Sequence, residues 1–195
     1  MGARIVKLEK AIDEAIQQAP AEIREVIEAL QALRGVAQTT AASIVSELGC
    51  LSRFPTAPQL MGYSGLVASE HTTGNRVQRG GLTKTGNSHL RRVVVEAAWA
   101  YQHRPNVIGH LLRRQKDLAI SDEVKDIAWK AQQRLHKRYK AMDARGKNKN
   151  QIVAALGREL LVSSGRSGLK RSSSESSPRR LNPVPVECTT GQQSR

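Results

Sequence analysis

GLVASEHTTGNRVQRGGLTKTGNSHLRR, residues 65–92, holds glycines (Gly74, Gly80, Gly81, Gly86), hydroxyls (Thr72, Thr73, Thr83, Thr85) and bases (Arg76, Arg79, Lys84), with almost no apolar side chain. A core-forming element cannot be built from such a run, so it reads as a basic, glycine-rich loop between helices. Glycine lets a backbone approach a partner closely, and the bases make that partner an anion. Asn87 then reads as the cap of a helix whose first turns carry His89, Arg91 and Arg92. Positive charge and free N–H donors at a helix start suit a phosphate.

Helical periodicity dominates on both sides of this run. Ile5, Leu8, Ile12, Ala15 and Ile16 fall at helical spacing, and a second stripe of Ile23, Val26, Ile27, Leu30 and Leu33 begins after Pro20. Residues 1–33 therefore read as a helical hairpin or coiled-coil fragment. In LQALRGVAQTTAASIVSELG, residues 30–49, one helix is expected to end near Arg34. Gly35-Val36-Ala37 then turns tightly, and Thr39 or Thr40 caps a helix that Gly49 closes. This resembles a helix-hairpin-helix, which binds duplex DNA through backbone N–H groups of its hairpin (Gly35, Ala37, Thr39), with Ala37 where a second glycine is usual. An ordinary helical hairpin is the alternative.

Further on, Thr56 caps a short helix over 57–63. Leu90, Val93, Val94, Ala97, Ala98 and Tyr101 form a stripe that ends near His103. A short helix is expected over 107–117 and a long one over 121–145. The long helix turns Val124, Ile127, Ala128, Ala131, Leu135 and Tyr139 inward. Its outer face carries Lys125, Lys130, Arg134, Lys137, Arg138, Lys140 and Arg145, and the basic turn GKNKN, with Lys147 and Lys149, follows. A last apolar helix begins at Ile152 and is expected to stop after Leu161. Trp99 and Trp129 lie within apolar stripes and read as core. The five histidines share no ligand spacing and read as surface or phosphate-facing. The fold class is all-α: linker helices over 1–33, a helical domain over 34–161, and a Ser-, Pro- and Arg-rich tail over 162–195 with too little apolar content to order.

Charge narrows the partner. The formal net charge is +14, and residues 76–149 hold 18 basic against 6 acidic side chains, while residues 1–75 hold 6 against 8. An excess confined to one segment argues for a binding face rather than a generally cationic surface. Aromatic residues make up only 3% of the chain, which leaves few platforms for unpaired bases and favours a duplex or its backbone. Structured RNA is a second candidate, because a basic loop and a basic helix suit it too. Cys50 and Cys188 fit neither a zinc site nor a disulfide framework. With no signal core or membrane-length apolar run, the expected location is the cytoplasm.

Four blocks occur in order: LRGVAQTTAASIVSELG (33–49), RFPTAPQLMGYSGLV (53–67), SEHTTGNRVQRGGLTKTGNSHLRRVVVEAAWAY (69–101) and DIAWKAQQRLHKRYKAMDARGKNKNQIVAALGREL (126–160). Together they resemble the C-terminal domain of transposases of the insertion-sequence "one-ten" family, which includes the one-sixteen and nine-oh-two elements. The resemblance implies a two-part recombinase. Its N-terminal ribonuclease-H-like domain, similar to the RuvC resolvase, binds a divalent metal such as magnesium through four acidic residues. A coiled coil leads to the C-terminal domain, whose serine attacks a DNA phosphodiester. A bridge RNA encoded by the element guides the reaction, and the protein works as an oligomer. The family serine falls at Thr73, beside Thr72; the crowding methyl of a threonine and its restricted χ1 count against it as a nucleophile. Both threonines could instead satisfy the loop backbone. No counterpart of the metal-binding domain is seen, and Asp122, Glu123 and Asp126 read as the solvated first turn of a helix. The chain is thus expected to be a truncated transposase that binds DNA but is inactive alone, with no metal or cofactor of its own. A non-catalytic module binding DNA or structured RNA is the alternative. The residues expected at the nucleic acid are Gly35, Ala37, Thr39, Gly74, Arg76, Arg79, Gly80, Gly81, Lys84, Asn87, His89, Arg91, Arg92, Lys137, Arg138, Arg145, Lys147 and Lys149.

Overall fold

The computed structural model describes residues 2–49, 53–54, 56–73, 76, 78–107 and 109–173. Eight α-helices and one small sheet follow in order: α1 (Gly2–Gln18), α2 (Ala21–Leu30), α3 (Gln38–Leu48), α4 (Ala57–Ser64), β1 (Ala68–Glu70), β2 (Arg79–Leu82), α5 (Ser88–Ala98), α6 (His110–Asp117), α7 (Asp122–Asp143) and α8 (Lys149–Ser173). A 3-10 turn, Trp99–Gln102, extends α5.

The helix α8 forms the centre and packs against α2, α4, α5 and α7. Its Ile152, Val153, Leu156, Leu160 and Leu161 are buried. Gly157 brings it close to α5: a β-carbon there would stand 3.3 Å from Val95. The apolar stripe of α5 meets it as expected, with Leu90, Val94, Ala97, Ala98 and Tyr101 buried. On α7, Val124, Ala128, Ala131, Leu135 and Tyr139 point into the core, and Ile127 is half-buried. Helix α1 touches only the edge of this core: Ile16 packs on it, while Ile5, Val6 and Leu8 are exposed.

Several expected boundaries move. Helix α2 stops at Leu30 rather than near Arg34, and i→i+3 turns carry the chain through Val36. Side chains of α6 explain this. Arg114 Nε donates to the Gln31 carbonyl (3.0 Å) and Gln115 Nε2 to the Ala32 carbonyl (3.2 Å), capping carbonyls that a longer helix would have used. Neither Thr39 nor Thr40 caps α3. The extended residue is Ala37, and the Ala41 N–H already closes the first turn onto the Ala37 carbonyl. Helix α6 starts at His110 because Gly109 takes a positive φ of 60° ahead of it. The last helix does not stop after Leu161 but runs to Ser173. Of the expected tail, residues 174–195 lie outside the described residues. Trp129 is 37% exposed instead of in the core. His136 is half-buried, its Nδ1 3.1 Å from the Tyr101 carbonyl, rather than on the surface.

The largest correction concerns the glycine-rich run, which is a β-hairpin and not a loop. Ala68 pairs with Leu82 and Glu70 with Arg79, antiparallel, and the ribbon continues through a Thr73–Arg76 bridge. Leu82 packs against the core and holds the base of the ribbon, while Thr83 N–H and Lys84 N–H bond to the Val67 and Gly65 carbonyls.

Candidate nucleic-acid interface

The expected site residues fall into three groups. The first is the ribbon. Thr73 is exposed and sits opposite Arg76, whose N–H donates to the Thr73 carbonyl (3.3 Å). Two residues, Gly74 and Asn75, join them and lie outside the described residues. The Thr72 hydroxyl donates to a Glu70 carboxylate oxygen at 2.6 Å, whereas the Thr73 hydroxyl has no hydrogen-bond partner among the described residues. Lys84 is exposed, in a left-handed conformation (φ 56°), just beyond β2. Gly80 and Gly81 stand in β2, where the register slips by one residue between Ala68 and Glu70. A β-carbon on Gly80 would strike the Ser69 hydroxyl, whereas one on Gly81 would meet nothing within 4 Å.

The second group lines a cleft between α3 and α5. Gly35, Thr39 and Arg92 come together there with Thr40, Ser43 and Glu96 around a cavity of about 320 Å³. Because Ala37 has no side chain that can cap, the first N–H groups of α3 have no side-chain acceptor from the N-cap. Gly35 itself serves the interior. Its φ is +82°, and a β-carbon there would run into the Ala97 carbonyl of α5. Thr40 and Ser43 were missed by sequence reasoning, although their spacing from Thr39 places all three hydroxyls near one end of a helix.

Two residues expected at the phosphate are engaged inside the fold. Asn87 caps α5, its side-chain oxygen accepting from Leu90 N–H at 2.9 Å, as the sequence suggested. Its amide donates to Glu47 Oε2 (2.5 Å) and lies 3.4 Å from the Tyr63 hydroxyl. Arg91 Nη1 donates to the Ser64 carbonyl at the end of α4 (2.9 Å). His89 and Arg92 are exposed and 3.3 Å apart. The first turn of α5 thus follows the ribbon along the chain and leads to Arg92 at the cleft.

The third group is the outer side of α7 and the turn after it. Lys137, Arg145, Lys147 and Lys149 are exposed, and their side chains have no partner among the described residues. Arg138 is not: with Arg134 it forms an ion pair to Glu159 of α8 (Arg138 Nη1 at 2.8 Å). Among the described residues no hydrogen bond or ion pair joins this group to the ribbon.

No three His, Cys, Asp or Glu side chains converge among the described residues. The ligand set for a divalent metal is therefore not met by these residues. Nor is any described helix long and apolar enough to cross a membrane.

The ribbon, the cleft and the first turn of α5 all lie inside one stretch that matches a family model, Transposase IS116/IS110/IS902 family, at residues 27–110. Residues 27–110 are thus similar to the transposase domain of that family. A protein of Sinorhizobium fredii named transposase y4qE is 44% identical over 135 residues, 69% of this chain and 34% of that protein. The transposase for insertion sequence element IS1111A of Coxiella burnetii is 33% identical over 94 residues, 45% of this chain and 26% of its own length. A family 20 transposase of Pseudomonas aeruginosa is 31% identical over 98 residues, 50% of this chain and 28% of its length. The chain thus spans about a third or less of the curated relatives it matches. The family match ends at the start of α6, so α7 and α8, which supply the third cationic group and the central core helix, lie beyond it.

Proposed function

We propose that this chain is a DNA-binding part of an insertion-sequence transposase, and that Thr73 presents the hydroxyl that attacks a DNA phosphodiester. One observation carries the reading: an exposed hydroxyl without a hydrogen-bond partner among the described residues belongs to a threonine paired across a narrow ribbon with an arginine. Directly opposite residues in an antiparallel pair lie about 5 Å apart at their β-carbons. That spacing would let a guanidinium and a nucleophile reach the same phosphate. The attack would form an Oγ1–phosphorus bond and break one deoxyribose oxygen–phosphorus bond, so the number of phosphoester bonds is conserved. Arg76, Arg79 and Lys84 counter the charge of that phosphate and its neighbours. Arg92 and the N–H groups of α3 hold the backbone farther along, and Lys137, Arg145, Lys147 and Lys149 add contacts without sequence preference.

A free hydroxyl of ordinary acidity is a poor nucleophile. The acidic ligand set that would activate it is not met by the described residues, so the chain by itself is proposed to bind DNA without joining to it, and no step here is routed through a metal. Oligomers and a bridging RNA belong to the same proposal.

Two measurements test it. Gel-shift titrations of duplex DNA should show binding that weakens steeply with salt. With a ribonuclease-H-like domain of a relative supplied in trans, a covalent DNA adduct should map to Thr73 and vanish in Thr73→Ala. An adduct that persists in that variant would remove Thr73 from the role.

A further inference from the structure

We propose that the β1–β2 ribbon enters the major groove of B-form duplex DNA, with the Gly81 edge in contact with the duplex. This rests on the DNA-binding reading above.

The ribbon needs a partner. An isolated two-stranded hairpin is marginal in water. Leu82 ties this one to the core only at its base, and residues 70–73, 76, 78, 80 and 81 are all exposed. It carries Arg76, Arg79 and Lys84 against a single acid, Glu70, so its charge complements a polyanion.

Gly81 indicates which side the partner takes. Glycine inside a strand weakens it and calls for a reason. Between residues 35 and 157 nearly every described glycine has one. Either its φ is positive, or, as at Gly80 and Gly157, a β-carbon would press on a neighbour. Gly62 and Gly81 have neither. The register slip beside Gly81 does not demand glycine, because its φ is not positive. An outside surface that must come close to the strand supplies the missing reason.

The groove follows from size. A two-stranded ribbon fits the major groove of B-DNA, about 12 Å wide and about 8.5 Å deep, whereas the minor groove, at about 6 Å, is too narrow for it unless the duplex is bent or widened. From Ala68 to Thr73 the strand reaches roughly 17 Å at about 3.3 Å per residue, long enough to seat in the groove. The deep, narrow major groove of A-form RNA does not admit it.

Fluorescence anisotropy with the full chain decides the matter. Gly81→Phe fills empty space, so its melting temperature should match the unaltered protein, while its affinity for duplex DNA falls about tenfold or more. Duplex whose major groove is filled by glucosylated hydroxymethylcytosine should weaken the unaltered protein similarly, and netropsin in the minor groove should not compete. The glucosylated duplex keeps the test decisive even if Gly81→Phe fails to fold. If Gly81→Phe and the glucosylated duplex leave affinity unchanged while Arg76→Ala weakens it, the groove inference fails and DNA binding stands. Equal affinity for an RNA duplex also overturns it. No binding to duplex DNA at all overturns both readings.

Discussion

Asn87 was expected at the phosphate and is found inside a network, and the two roles predict opposite phenotypes. In Asn87→Ala the cap on Leu90 N–H is lost, which costs about 1 kcal/mol. The half-buried Glu47 carboxylate also loses its donor at 2.5 Å, and a hydrogen bond to a charged group contributes about 1.5–3 kcal/mol. The total is about 3 kcal/mol, or roughly 6–12 °C in melting temperature for a chain of this size. Asn87→Asp separates the terms. It keeps a capping oxygen but turns a carboxylate toward Glu47. Its loss should therefore be greatest near neutral pH and shrink on acidification to about pH 5, as one of the two carboxyls takes a proton. The alanine variant brings in no second carboxylate, so it should recover less on acidification than the aspartate variant. Differential scanning calorimetry across pH reads both, and DNA affinity is measured well below the melting range. If Asn87→Ala melts with the unaltered protein yet loses DNA affinity, the network is irrelevant to stability and Asn87 is a ligand contact after all.

Three further outcomes are expected. Tyr101 is fully buried with a hydroxyl that finds no partner among the described residues, and burial pushes its pKa well above the ordinary phenol value, against the opposing charge of Arg34. The stability tied to its neutral form is complete below about pH 10 and is lost as pH rises beyond it. Tyr101→Phe should gain about 1 kcal/mol at neutral pH in urea unfolding and resist alkali better; a loss of that size would show the hydroxyl to be satisfied. Glu159→Gln releases Arg134 and Arg138, whose side chains are 49% and 52% exposed, so stability should fall by no more than about 1 kcal/mol; duplex DNA should bind more tightly, and unchanged affinity would take that face of α7 out of the interface. Replacing Lys137, Arg145, Lys147 and Lys149 with alanine should flatten the slope of log affinity against log salt by about 3.6, at about 0.9 per phosphate contact; an unaltered slope would mean that this end of the molecule stays off the DNA.

The helices were legible because their signal is local. Stripes such as Leu90-Val94-Ala97-Tyr101 and Val124-Ala128-Ala131-Leu135 repeat at helical spacing and are buried as read. Ends were less so, because partners distant in sequence set them. Arg114 and Gln115 stop α2 from 83 residues away, and no window around Leu30 contains that information. The ribbon was missed for a different reason. Its strands lack the apolar alternation that marks a half-buried strand, since only its base is covered. A cue was still present in the sequence: Gly-Asn, at 74–75, is among the dipeptides that signal a hairpin when they stand between two strand-like runs.

Net charge pointed to one segment and overstated what that segment can offer. Arg91 holds the end of α4, Arg114 holds the end of α2 with burial lowering its pKa, and Arg134 and Arg138 share Glu159. A guanidinium that satisfies a carbonyl where α-helices end is part of the fold before it is part of an interface. Among the described residues, the cations left over include Arg76 on the ribbon, Lys84 just beyond it, Arg92 and those around the α7–α8 turn. The glycines divide in the same way. Gly35 lets the chain pack against itself, and Gly81 leaves room for something else. Composition counts all these residues alike. What distinguishes an interface from a scaffold is whether a residue's neighbours already account for it, and by that measure the ribbon is the part of this chain least explained from within.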